Sequence, residues 1–151
     1  MIVFLGDSIT EWWDKELYKM YFGEHESYNL GVSGHTTKDT LKHIEKHFSR
    51  YSRASTVILQ IGTNDADNNI TTVETFENIQ QICTNIFKFN AVARILLVGP
   101  LPRGQNPHDK YRMFNIEVNK LLRASKKDPR ITYIDIGHMF LDGDRTISCY
   151  V

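Results

Sequence analysis

The sequence predicts a three-layer α/β/α sandwich built on a five-stranded parallel sheet. Short apolar runs recur along the chain with amphipathic stretches between them. Three of the runs, 2–6 (IVFLG), 56–62 (TVILQIG) and 94–99 (RILLVG), are almost continuously apolar and end in glycine. That is the pattern of parallel strands covered on both faces, with the chain reversing at their carboxyl ends. The stretches between them repeat apolar residues at spacings of three and four, the period of a helix with one buried stripe.

Taken in order, the strands are predicted at 2–6, 28–32, 56–62, 94–99 and 131–136. Leu41, Ile44 and Phe48 mark a short helical stripe after the second strand. Val73, Phe76, Ile79, Cys83, Ile86 and Phe87 mark a longer one after the third, and Tyr111, Phe114, Val118, Leu121 and Leu122 one after the fourth. Strand–helix alternation implies right-handed crossovers. The flavodoxin-like strand order 2-1-3-4-5 would then gather the carboxyl ends of the first three strands at the point where the order reverses, which is where ligands bind in open α/β sheets. With no repeat, linker or low-complexity tract, residues 1–151 read as a single domain.

Composition narrows the partners. Eighteen basic residues balance eighteen acidic ones, so no long-range field favours nucleic acid or an anionic membrane. The basic cluster 123–127 reads as a solvated helix end. Met1 leads directly into four apolar residues, too few for a signal-peptide core or a membrane span. The two cysteines, Cys83 and Cys149, do not make a disulfide framework. Cys83 reads as a small buried hydrophobe. These features point to the cytoplasm, where the pattern Asn69-Ile70-Thr71 has no role as a glycosylation acceptor.

The chemistry is sought at the strand ends. The first strand delivers Gly6-Asp7-Ser8, the second Asn29-Leu30-Gly31-Val32-Ser33-Gly34, the third Gly62-Thr63-Asn64-Asp65. Ser8 would stand at a strand-to-helix turn, beside the free amides of a helix amino terminus. Asp7 would hold that turn through backbone hydrogen bonds. Gly34 can bring a bare backbone N–H close to a ligand, and Asn64 offers a side-chain amide. A serine with two such donors suits acyl transfer, in which a nucleophile attacks a carbonyl and the oxyanion needs hydrogen-bond donors.

GDSIT, NLGVSG and GTND resemble, in order and at strand ends, the first three motif blocks of the SGNH (GDSL) hydrolase superfamily. VGPLPRGQNP and FLDGDRTISC resemble the branch of intracellular platelet-activating-factor acetylhydrolase catalytic subunits. The resemblance implies that Ser8 is the nucleophile, and that Ser8, Gly34 and Asn64 form the oxyanion hole. It implies a serine esterase that hydrolyses short-chain, most simply acetyl, esters of a sugar, lipid or small metabolite through an acyl-serine. Neither a metal nor a cofactor is required. Two other readings keep the fold: an O-acyltransferase that passes the acyl group to a sugar hydroxyl, and a catalytically impaired module that binds partners or forms a homodimer through an uncovered fifth strand.

The family's last block, Asp-x-x-His, supplies the general base. It is not found after the FLDGDRTISC stretch, so the chain reads as a shortened form in which the final helix is missing too. Asp135-Ile136-Gly137-His138 has the spacing and is an alternative base pair, but Asp135 falls within a strand pattern, which favours coincidence. His35, beside Gly34, is a second candidate, read first as a turn residue. His43 and His47, one helical turn apart, lack a third ligand and read as a solvated face rather than a metal site. Asp65 and Asp67 read as turn caps. Of Trp12 and Trp13, one should pack under the sheet edge and the other wall the acyl or alcohol pocket.

Overall fold

The computed structural model describes residues 1–126, 128–143 and 145–147, and only the backbone of Phe48. Cys149 lies outside the described residues. The strands are β1 (Ile2–Gly6), β2 (Ser27–Gly31), β3 (Thr56–Gln60), β4 (Arg94–Val98) and β5 (Ile131–Ile134). They form one parallel sheet in the order β2-β1-β3-β4-β5, as the sequence predicts. Strand ends fall up to two residues earlier than the apolar runs suggest. In β3 the ladder stops at Gln60, and Gly62 already belongs to the turn. In β5 it stops before Asp135, whose carboxylate folds back to accept the Gly137 N–H at 3.0 Å.

The helices are α1 (Ser8–Glu11), α2 (Lys15–Phe22), α3 (Thr37–Lys46), α4 (Phe48–Tyr51), α5 (Thr72–Phe89) and α6 (Lys110–Ala124). α3 packs on α5 and α5 on α6. Against these three the sheet sets Val3, Leu5, Val57, Leu59, Ile95 and Leu97, which meet Ile44 of α3, Ile79, Ile82, Cys83 and Ile86 of α5, and Val118 and Leu122 of α6. Cys83 is buried there as a free thiol, and burial pushes its pKa up to about 12. Val73, expected in the α5 stripe, instead stands 54% exposed.

The opposite face is covered less evenly. Beneath β1, Phe4 is enclosed by Trp13, Tyr18 and Phe22, with ring centroids 5.3, 5.4 and 4.8 Å from its own. Ile58 and Leu96 are only half-buried and Thr132 is exposed, so β3 alternates where full cover on both faces was expected. Exposed apolar side chains gather on α1 and α2 (Ile9, Leu17, Met20, Tyr21) rather than on β5. Among the described residues, no helix is long and apolar enough to cross a membrane.

Of the two tryptophans, one meets the packing half of the expectation. Trp13 is the one that packs under the sheet edge, while Trp12 is 75% exposed. Replacing Trp13 with alanine should lower stability by about 2 kcal/mol, less than for a fully buried tryptophan. Trp12→Ala should stay within about 0.5 kcal/mol of wild type. Urea midpoints of the two variants check this, and equal midpoints would contradict the packing described.

Candidate active site

At the carboxyl edge of the sheet, the ends of β2, β1 and β3 lie side by side. β1 runs into Asp7, the N-cap of α1, whose buried carboxylate accepts the Ile9 N–H at 2.9 Å. This bond closes the turn and sets Ser8 as the first helical residue, half-buried. Burial pushes the Asp7 carboxyl above its ordinary range, while the Ile9 N–H and the Arg103 charge pull it down. Among the described residues, the Ser8 hydroxyl makes no hydrogen bond.

After β2 the chain crosses back to β1, with the Val32 N–H donating to the Gly6 carbonyl at 3.0 Å, and then turns over Ser33-Gly34. Gly34 has φ +77°, and a β-carbon there would meet nothing within 4 Å. Only the backbone conformation therefore demands glycine at this position. The Gly34 N–H has no partner among the described residues.

After β3, a 3₁₀ turn (Thr63–Asp67) carries Asn64. One N–H of the Asn64 amide donates to the His35 carbonyl at 3.0 Å. The amide is thereby fixed against the Gly34 loop, with its second N–H still to give. Asp65 is fully buried. Its carboxylate accepts the Thr37 N–H at 2.8 Å, the Thr37 hydroxyl at 2.6 Å and the Thr75 hydroxyl at 2.8 Å. Burial raises its pKa against the pull of those donors. A residue read as a turn cap thus joins the β3 turn to α3 and α5.

The loop after β4 closes the far side. Arg103 donates to the Thr63 carbonyl at 3.1 Å, pairs with Asp67 at 2.7 Å and lies 4.2 Å from the centre of the Tyr111 ring. Bonds from Arg103 and the Tyr111 hydroxyl hold the Asp67 carboxyl below its usual range. Asn115 of α6 bridges Thr63 Oγ1 and the Leu101 carbonyl at 3.0 and 2.8 Å. Arg112, also on α6 and buried, donates to the carbonyls of Arg103, Gly104 and Arg145. These cross-links were not visible in the sequence, because they join residues far apart in the chain and leave no local pattern.

Among the described residues no hydrogen bond joins Asp135 to His138. Asp135 accepts from Arg123 at 2.7 Å as well as from Gly137, and His138 stands exposed on the next turn. Both border a groove of about 520 Å³ between α6 and the end of β5, walled by Pro100, Pro102, Met113 and Ile116. The His35 ring lies edge-on against His43 at 5.6 Å, and His43 lies 4.5 Å from His47. Burial lowers the His43 pKa, and its neighbours His47 and His35 lower it further. Among the described residues no group of three His, Cys, Asp or Glu side chains is placed to hold a metal ion.

This fold, with these turns, belongs to the GDSL-like lipase/acylhydrolase family, whose model matches residues 4–150. Among individual relatives, the chain is 31% identical over 149 residues to the platelet-activating factor acetylhydrolase IB subunit alpha1 of Rattus norvegicus. That match covers 97% of this chain and 63% of the relative, so the chain spans less than two thirds of the relative's length. A GDSL-like lipase from Bacteroides thetaiotaomicron superposes with TM-score 0.79 at 22% identity, over 96% of this chain and 72% of that one. A variant of an acetyl-xylooligosaccharide esterase from Geobacillus stearmophilus does so with TM-score 0.71 at 17% identity, over 99% and 87%. At such identities the two solved structures speak for the fold alone.

The cross-linking makes a stability prediction. Asp65→Ala leaves three buried donors without an acceptor and should cost about 3 kcal/mol. Asp65→Asn, which keeps an acceptor oxygen, should cost clearly less. Chemical denaturation at neutral pH measures both, and equal losses would mean that the bonds matter less than the volume filled.

Proposed function

We propose that this chain carries the site of a serine esterase for short-chain, most simply acetyl, esters of a sugar, lipid or small metabolite. One observation supports the reading: the turns after β2, β1 and β3 are adjacent, so the strand end that carries Ser8 lies between the turns that carry two donors. These are the unpartnered Gly34 N–H and the Asn64 amide, anchored on the His35 carbonyl. The acetylhydrolase relative named above supplies the preference for acetyl.

In this reading the Ser8 hydroxyl oxygen attacks the ester carbonyl carbon and its proton passes to a general base. The carbonyl oxygen, now negative, takes hydrogen bonds from Gly34, from Asn64 and from the backbone N–H of Ser8. The intermediate collapses by breaking the bond to the alcohol oxygen, which leaves with a proton. Water then releases the acid from the acyl-serine by the same steps. Asp135 accepts from Arg123 and Gly137 and no hydrogen bond joins it to His138 among the described residues, so the base is not assigned to that pair. Asp7 and Asp65 are fixed by backbone and threonine donors and serve as supports.

The test compares the chain with Ser8→Ala on 4-nitrophenyl acetate. The chain should exceed the buffer rate and the variant should match it; equal rates for both would remove the esterase reading. Asn64→Ala should lower kcat by about 10²–10³-fold, the loss seen when an oxyanion donor is removed. Unchanged turnover would show that Asn64 lies outside the oxyanion hole.

A further inference from the structure

The turn that presents the Gly34 N–H is held from the helix that carries Ser8. His35 N–H donates to the Val32 carbonyl at 3.1 Å, closing a four-residue turn over Ser33 and Gly34. Gly34, third in the turn, has φ +77°, and Ser33 is not among the residues with positive φ. That combination defines a type II turn. The type I and type II forms differ chiefly in the central peptide, here Ser33–Gly34, which is turned over by roughly half a revolution between them. The direction of the Gly34 N–H therefore depends on how Ser33 is held.

Glu11 holds Ser33. Its Oε2 accepts the Ser33 N–H at 2.8 Å and the Ser33 hydroxyl as well. Glu11 is the last residue of α1, three after Ser8, so both project from the same side of one helical turn. Two further contacts keep this helix and the end of β2 together. Asn29 Nδ2 donates to the Thr10 carbonyl at 2.7 Å, and a β-carbon on Gly31 would collide with the Glu11 backbone nitrogen.

Glu11 and Ser33 are both exposed. Polar pairs in solvent add little to fold stability, yet this one joins a charged acceptor to two donors of a single residue, a strong and directional arrangement. A contact that adds little to folding and holds Ser33, the residue before Gly34, by its N–H and hydroxyl has its effect on geometry.

We propose that Glu11 is a positioning residue of the site, fixing Ser33 so that the Gly34 N–H points at the carbonyl oxygen of the ester that Ser8 attacks. The kinetic part of this proposal rests on the esterase reading; the structural part does not.

The test compares wild type, Glu11→Ala and Glu11→Gln by amide NMR and by kinetics. In Glu11→Ala the Ser33 amide should exchange about tenfold faster or more, as for a freed backbone donor, and the Gly34 resonance should move. Its kcat on the acetyl ester should fall by about 10- to 100-fold, a misaimed donor losing less than a deleted one, with KM and the thermal midpoint nearly unchanged. Glu11→Gln keeps an acceptor oxygen and should restore most of the kcat and the Gly34 resonance.

Two results overturn the proposal: Ser33 and Gly34 signals that do not change in Glu11→Ala, or a kcat that falls only together with the thermal midpoint. Should wild type and Ser8→Ala both match the buffer rate, the esterase reading is what fails, and the amide signals decide the role of Glu11 alone.

Discussion

The buried carboxylate of Asp65 is the interaction on which the site's geometry depends. A charge in that position, without partners, would destabilise the fold by several kcal/mol. It is tolerated because three donors converge on it: the first backbone N–H of α3, the Thr37 hydroxyl beside it and the Thr75 hydroxyl of α5. The β3 turn is thereby locked to the helix that follows β2, across the end of β1 that lies between those strands. Asn78 extends the lock, donating to the Thr37 hydroxyl at 2.9 Å. Ser8 sits between two elements fastened to each other, and Asn64, the residue before Asp65, takes its direction from the same lock.

Much of the fold was legible because the buried strands and helices announce themselves by period. The apolar run of β1 and the spacing of Ile79, Cys83 and Ile86 each admit one reading, and that reading is what forms. α2 was not legible, for a physical reason. Its inward side chains are Tyr18 and Phe22, while Leu17, Met20 and Tyr21 face out, so apolar residues surround it and no single stripe marks a buried side. α6 was legible from its apolar stripe, but two of its buried polar residues were not. Asn115 and Asn119 lie on its buried side, where they donate to the carbonyls of Leu101 and Pro100. Those carbonyls have left the β4 ladder and need donors, a demand that appears only once the chain is folded.

The site divides along the same line. Ser8, Gly34 and Asn64, the proposed site residues, stand out in the sequence as residue types at strand ends, because a hydroxyl, a bare N–H and an amide are local properties. Their supports do not. The pairing of Ser33 with Glu11 spans 22 residues and that of Thr37 with Asp65 spans 28, with nothing in either segment to name its partner. The helix after β1 forms where expected, and its length matters. α1 is a single turn, too short for its aligned dipoles to sum to much. In the proposed reaction, positive potential at Ser8 would come from individual N–H groups, so their aim would matter more than the axis of the helix.

The adjacent tryptophans give the chain two optical reporters one residue apart with different surroundings. Trp13, 5.3 Å from Phe4 and 6.0 Å from Phe22, is held in an aromatic cage whose integrity depends on α2 staying docked under β1. Trp12 is the C-cap of α1, its ring in water, and its backbone N–H donates to the Ser8 carbonyl at 2.9 Å. Quenchers dissolved in the solvent will reach the second indole, 75% exposed, more readily than the first, 42% exposed. Emission from this one dipeptide therefore separates undocking of a helix from changes at the serine turn, with no dye attached and no residue replaced.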